Sequence, residues 1–375
     1  MRPIQMVDLK HQYQKIKTEI DDAVLDVLAN EAFINGPQVQ HFADALSKYN
    51  GSKHVIPCAN GTDALQIALM ALDLNLGDEV ITPSFTFIAT TEVIALLKLT
   101  PVFVDVDPKT YCIDPQALAE AITPRTKAII PVHLYGQAAN MEEIMKIADE
   151  HNLTVIEDNA QAIGSDYYFS NGSIKKTGSI GSISTTSFFP AKNLGCYGDG
   201  GAIMTNNDAL SVKLTMISNH GQSKRYYHDV VGCNSRLDTL QAAVLEIKLK
   251  YLDEFINARR KVADYYDAAF AVHPNINIPF RATWCKHVFH QYTLVLNNVN
   301  RNELNGYLAG KNIPSMIYYP VPVHKQKMFE SFNFGSTNLP VTEWLSERVI
   351  SLPIHTEMDE EQLKKITTSV LEFIN

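Results

Sequence analysis

Between residues 54 and 158, short runs rich in valine and isoleucine alternate with segments of helical periodicity, and this alternation limits the fold more than any other feature. Strands are predicted over 54–58, 79–82, 102–105, 128–132 and 154–158, and helices over 64–74, 87–97, 117–122 and 141–151. Such alternation builds βαβ units, so the expected class is α/β with a mostly parallel central sheet. Right-handed crossovers would cover that sheet with helices on both faces. In sheets of this kind ligands sit outside the carboxyl ends of the strands. The polar clusters after 54–58, 79–82 and 154–157 should therefore converge on one site.

Upstream, 7–28 reads as a helix, the turn Asn35-Gly36-Pro37 breaks the pattern, and 38–49 reads as a second helix. A long helical segment over 239–270 leads into a region with a strand at 291–296 and a helix at 360–373. At 375 residues the chain is long enough for two domains. The expected division is a large domain over 1–250 and a smaller C-terminal α/β domain over 251–375.

With 32 Lys and Arg against 41 Asp and Glu, the formal charge is −9, which argues against a nucleic-acid or membrane-surface binder. Cys58, Cys112, Cys196, Cys233 and Cys285 are odd in number and none forms a C-x-x-C pair, so neither a disulfide framework nor a metal site is expected. Reduced thiols fit a cytoplasmic protein. The opening Met1-Arg2-Pro3-Ile4-Gln5 does not read as a signal peptide, and no apolar stretch reaches the length of a membrane span.

Four clusters carry candidate chemistry. Asn60-Gly61-Thr62-Asp63 lies between a strand and a helix, where amides at a helix N-terminus attract a phosphate and Gly61 permits close backbone approach. A plain helix cap by Thr62 or Asp63 is the competing reading. Glu157-Asp158-Asn159-Ala160-Gln161 ends a strand. There Asp158 can pair with a protonated ring nitrogen, as pyridoxal phosphate requires, and Gln161 can reach a ring hydroxyl; the alternative is a strand-end acid capping the next turn. Lys192 follows Ser187-Phe188-Phe189-Pro190-Ala191 and precedes Gly195-Cys196-Tyr197-Gly198-Asp199-Gly200-Gly201. Burial among such neighbours lowers an amine's pKa, which suits a lysine that forms a Schiff base. The stretch from His220 to Arg225, with Asn234-Ser235-Arg236, is polar and cationic. It suits an anionic substrate, a neighbouring subunit or a solvated loop.

At these residues the chain resembles the DegT/StrS family of nucleotide-sugar aminotransferases, from Asp8-Leu9-Lys10 to Ser351-Leu352-Pro353-Ile354-His355. The resemblance implies a pyridoxal-phosphate enzyme of fold type I, normally a homodimer with shared sites. It implies that Lys192 is the catalytic lysine joined to the cofactor, that Asp158 meets the pyridine nitrogen and that Gln161 meets the ring oxygen. It also implies that Gly61, Thr62 and Ser187 hold the phosphate and that Phe87 stacks on the ring. Asn234 matches the residue that reaches the phosphate from the other subunit. The implied substrates are L-glutamate, leaving as 2-oxoglutarate, and a nucleotide-linked keto sugar.

The block from Phe188 to Gly201 and the run from Asn234 to Ala243 resemble aminotransferases that act on UDP-2-acetamido-2-deoxy-3-oxo-glucuronic acid for surface polysaccharide such as O-antigen. Arg236 is then the candidate for a carboxylate or diphosphate. Tyr318-Tyr319-Pro320 stands where the family often has His-Tyr-Pro, which keeps open a neutral dTDP- or UDP-linked 3- or 4-keto sugar. Tyr318, Tyr319 and His324 are further sugar-contact candidates. A dehydratase of the same fold would carry histidine in place of Lys192, and a non-catalytic regulatory homologue would not need Lys192, Asp158 and Gln161 together.

Overall fold

The structure is a computed structural model and describes residues 2–332 and 338–374. Its centre is a seven-stranded sheet. In spatial order the strands are His54–Cys58, Gly201–Thr205, Ile183–Ser187, Thr154–Asp158, Thr126–Ile129, Glu79–Pro83 and Thr100–Val104. Only Gly201–Thr205 runs antiparallel to the others, so the sheet is mostly parallel, as the alternation predicts.

Successive side chains leave opposite faces of a strand, and each face builds its own core. Ile81, Ile129 and Val155 pack in one core with Met141 and Ile144 of the helix Met141–His151. Val80, Ala128 and Ile156 pack in the other with Leu65, Ile67 and Ala68 of the helix Gly61–Met70. Burial on both faces explains why these strands read as nearly continuous apolar runs.

Two strands carry no such signal. Ile183–Ser187 is Ile-Ser-Thr-Thr-Ser, yet Ser184, Thr185 and Thr186 are buried. Their hydroxyls donate to the carbonyls of Glu157 and Asn159 at 3.3–3.4 Å, which satisfies them inside the sheet. Gly201–Thr205 is hidden by the glycine run that leads into it.

Two long helical expectations are each broken once. The first divides into Leu9–Lys15 and Lys17–Asn30 at Ile16, whose side chain is buried against Val244 and Phe255. The second divides into Thr239–Lys250 and Leu252–Phe270 at Tyr251, which stacks on Phe255 with ring centroids 6.1 Å apart.

A second, antiparallel sheet joins Ile276–Asn277, Tyr292–Leu296 and Val349–Leu352. Its core includes residues of the helices Leu252–Phe270, Arg301–Gly310 and Glu360–Ile374, and also Ile4 from the chain's beginning. From this region the segment 316–324 returns to the large sheet, where the amide of Val323 donates to the carbonyl of Ser84 at 3.1 Å. No helix among the described residues is long and apolar enough to cross a membrane.

Candidate active site

The turns after the parallel strands meet at one edge of the large sheet. The helix after His54–Cys58 starts at Gly61 and is capped by Asn60, whose Oδ1 accepts from the Asp63 amide at 2.8 Å. The cap is thus two or three residues earlier than a Thr62 or Asp63 cap would be. Gly61 and Thr62 consequently occupy the first helical turn, where amides have no carbonyl to bond and face outward. A methyl group added at Gly61 would lie 2.7 Å from Cβ of Ser187 and 3.3 Å from its Oγ. Two strand ends are therefore pressed together, and amide and hydroxyl donors surround the gap. Ser235 is close by, since its Oγ accepts from the Ala59 amide at 3.1 Å. Asn234 beside it is exposed and Arg236 is half-buried.

Glu157 and Asp158 are adjacent and both buried, but their partners differ. Glu157 accepts from the amides of Gly178, Ile180 and Gly181 at 2.7–2.8 Å and from His133 Nε2 at 2.9 Å. Nδ1 of His133 accepts from the Ala139 amide at 3.1 Å, so the ring proton lies on Nε2 and points at Glu157. Burial opposes the ionised Glu157, yet these donors outweigh it and hold the carboxyl below its ordinary range. Glu157 is committed to the scaffold. Asp158 Oδ2 accepts from Thr90 Oγ1 at 2.8 Å, and Oδ1 from the Ala160 amide at 3.2 Å. Thr90 Oγ1 is in turn 3.1 Å from Thr86 Oγ1, one helical turn earlier.

Gln161 is oriented without ambiguity. Its Oε1 accepts from the Tyr135 amide at 2.8 Å, so its Nε2 must be the outward donor, and it donates to Tyr319 Oη at 3.0 Å. Tyr135 sits at φ 58°, in the left-handed region, and its hydroxyl donates to the Tyr318 carbonyl. Burial raises the Tyr319 hydroxyl well above its usual pKa, so it stays neutral. Phe87 is 53% exposed and its ring lies 6.1 Å from that of Tyr319, tilted by 39°. One face of Phe87 is free to cover a planar ligand.

Lys192 lies in the loop after Ile183–Ser187. Desolvation lowers its amine to a pKa of about 8, partly offset by the negative charge of Asp158. The loop is compact, with the Lys192 amide donating to the Phe189 carbonyl at 2.8 Å and the Cys196 amide to the Phe188 carbonyl at 2.8 Å.

His324, a candidate for sugar contact or for a buried structural histidine, makes its contacts within the fold. Its backbone amide donates to Ser84 Oγ at 3.1 Å, so the Ser84 proton points at His324 Nδ1, 2.7 Å away. Nε2 then faces Glu343 Oε1 at 3.4 Å. With both ring nitrogens engaged, His324 pins the returning loop to the sheet edge. Thr90, Thr86, His133 and Tyr135 went unassigned in the sequence. The spacing of Thr86 and Thr90 by four residues was the available signal for that pair.

As a set these groups suit a phosphorylated pyridine aldehyde. A phosphate at Gly61, Thr62 and Ser187 would meet amide and hydroxyl donors, a carboxylate is available at Asp158, and Lys192 is an amine with a large neutral fraction near pH 8. A Gly61→Ala protein should lose cofactor affinity, because the new methyl closes the gap against Ser187. An increase in Kd of about 10-fold or more is expected, read by fluorescence titration of the cofactor-free protein.

Residues 14–371 match the model of the DegT/DnrJ/EryC1/StrS aminotransferase family. The chain is 46% identical to the UDP-2-acetamido-2-deoxy-3-oxo-D-glucuronate aminotransferase of Pseudomonas aeruginosa, over 98% of this chain and 99% of that one. It is 45% identical to the UDP-N-acetyl-3-dehydro-alpha-D-glucosamine 3-aminotransferase of Acidithiobacillus ferrooxidans, over 98% and 97%. The crystal structure of S. venezuelae DesV in complex with a ketimine intermediate superposes with a TM-score of 0.94 at 37% identity, covering 99% of this chain and 98% of that chain.

Proposed function

Because the chain belongs to the DegT/DnrJ/EryC1/StrS aminotransferase family, we propose that it moves the amino group of L-glutamate to the 3-keto carbon of a UDP-linked 2-acetamido sugar. The cofactor is pyridoxal phosphate and the catalytic residue is Lys192. One observation carries the reading: a lysine of lowered pKa, an aspartate with its own threonine donor and a helix start packed closely against Ser187 share one edge of the sheet.

When bound, pyridoxal phosphate carries the amino group between the two substrates, and its protonated ring withdraws electrons from the reacting carbon. The protein's part follows from its own groups. Gly61, Thr62 and Ser187 fix the phosphate end. Asp158, held by Thr90, keeps a proton on the ring nitrogen. Gln161, oriented by Tyr135, offers a donor to the ring oxygen, and Phe87 covers one ring face. Lys192 would serve as the base that takes the proton from the amino acid's α-carbon, a role for an amine whose pKa is near the working pH. Glutamate leaves as 2-oxoglutarate before the sugar enters, so the kinetics are ping-pong.

UDP-2-acetamido-2-deoxy-3-oxo-glucuronate is the proposed acceptor, with Arg236 reaching its carboxylate or the diphosphate and Tyr318 and Tyr319 lining the sugar end. The second reading, a neutral 3- or 4-keto sugar, rests on Tyr318 standing where a cationic histidine would meet a carboxylate. His324 serves in either case as a loop anchor. The product would feed surface polysaccharide such as O-antigen. We place the enzyme in the cytoplasm as a homodimer in which Asn234 reaches the partner's phosphate site, with a large cofactor-binding region over 1–250 and a smaller one over 251–375.

The deciding experiment incubates the enzyme with 2-oxoglutarate and a panel of UDP- and dTDP-linked 3- and 4-amino sugars. Conversion of the 3-amino glucuronate confirms the proposal. A panel in which only amino acids react discards the sugar assignment.

A pH dependence follows from Lys192. Its neutral form predominates above about 8, so the rate at which cofactor-free protein captures pyridoxal phosphate should rise with pH and reach half its plateau near that value. A profile centred at the ordinary lysine pKa would place Lys192 in water.

A further inference from the structure

The most deeply buried lysine among the described residues takes no part in the mechanism above. Lys248, on the helix Thr239–Lys250, is only 1% exposed. It has no carboxylate partner among the described residues. Instead its ammonium donates to the carbonyl of Gly195 at 2.5 Å and lies 5.0 Å from the centre of the Tyr197 ring. Both contacts are in the segment that follows Lys192. Burial lowers the Lys248 amine to a pKa of about 8. A buried lysine is normally replaced by an apolar residue or paired with an acid, so an amine spent on a backbone carbonyl and an aromatic face calls for a specific use.

The same helix grips that segment a second time. Gln241, seven residues earlier and so on the same helical face, accepts from the Tyr197 amide at 2.8 Å. A methyl at Gly198 would lie 2.9 Å from Gln241 Nε2, and a methyl at Gly195 would lie 2.4 Å from the Pro190 carbonyl oxygen. The turn that carries Lys192 is thus closed on itself and clasped from behind. On its other side Asn193 Nδ2 donates to the Val288 carbonyl at 3.0 Å. The helix starts just after Asn234-Ser235-Arg236, so one rigid element connects the Lys192 turn to the segment beside the phosphate cradle.

We propose that Lys248, with Gln241, is a positioning residue that holds the Lys192 turn in the geometry the transfer needs, through the Gly195 carbonyl and the Tyr197 ring. The proposal rests on Lys192 being the cofactor lysine.

The test uses the full-length Lys248→Met protein, which keeps the length of the side chain and removes its charge and hydrogen bonds. With the Gly195 carbonyl released, Lys192 should gain access to water. Its amine should then titrate above its starting value of about 8. That titration is followed by NMR of the ¹³C-methylated, cofactor-free protein, with the Lys192 signal assigned by its loss in Lys192→Ala. The kcat should fall about 10-fold with little change in either KM, and Lys248→Arg should recover part of both properties. A folded Lys248→Met protein with unchanged Lys192 titration and unchanged kcat overturns the proposal. If Lys248→Met does not fold, Gln241→Ala is the second variant, and the same two readouts decide. Failure of the underlying reading shows separately, as activity retained by Lys192→Ala.

Discussion

Replacement of Lys192 by alanine is expected to abolish turnover and to leave no cofactor attached after borohydride treatment. Two functions are lost together. The covalent anchor goes, so pyridoxal phosphate would be held only by the remaining proposed contacts, among them Gly61, Thr62, Ser187, Asp158, Gln161 and Phe87. The base goes as well, and general acid–base catalysis of this kind contributes about 10²–10⁴ in rate. The combined fall in kcat should exceed the upper end of that range. Binding need not fail in proportion, because the phosphate donors belong to a helix start and a strand end that do not depend on Lys192. The variant should still take up cofactor, measured by equilibrium dialysis, and added small primary amines should restore part of the proton transfer. Turnover within tenfold of the parent protein would show that some other amine does this work.

Much of this site was legible in the sequence, because each part sits at a place the chain marks by itself. The strand ending in Asp158 is an apolar run with polar residues after it. The cradle at Gly61 follows a strand and opens a helix, and Lys192 stands out as a lysine amid Phe, Pro, Ala and Gly. What stayed hidden depends on residues distant in the chain. Ser184, Thr185 and Thr186 look like loop until Glu157 and Asn159 supply carbonyls for their hydroxyls. Tyr135 carries no local sign that it orients Gln161, since the contact uses its backbone amide in a left-handed turn. Lys248 lies in a helix whose neighbours read as ordinary, and only the fold reveals that its amine points inward.

The same long-range logic separates Glu157 from Asp158. Asp158 is the acid proposed from the sequence, and the partners agree with that choice, since three amides and His133 consume Glu157 while Asp158 is aimed by Thr90. An Asp158→Asn protein should therefore retain the fold and the Thr90 contact, since the amide oxygen still accepts. It should lose the charge that keeps the ring nitrogen protonated. A preorganised electrostatic contact of this type is worth about 10²–10³ in kcat, and that loss is expected here. The decisive feature is a second effect of definite sign. Asp158 raises the amine pKa of Lys192 against the lowering by burial, so removing its charge must move that pKa further down, below about 8. Capture of pyridoxal phosphate by the cofactor-free variant should then reach its plateau at lower pH than in the parent, even as turnover collapses. General damage to the pocket would let in water and shift the profile upward. A profile that rises or stays in place would remove Asp158 from the role of ring partner.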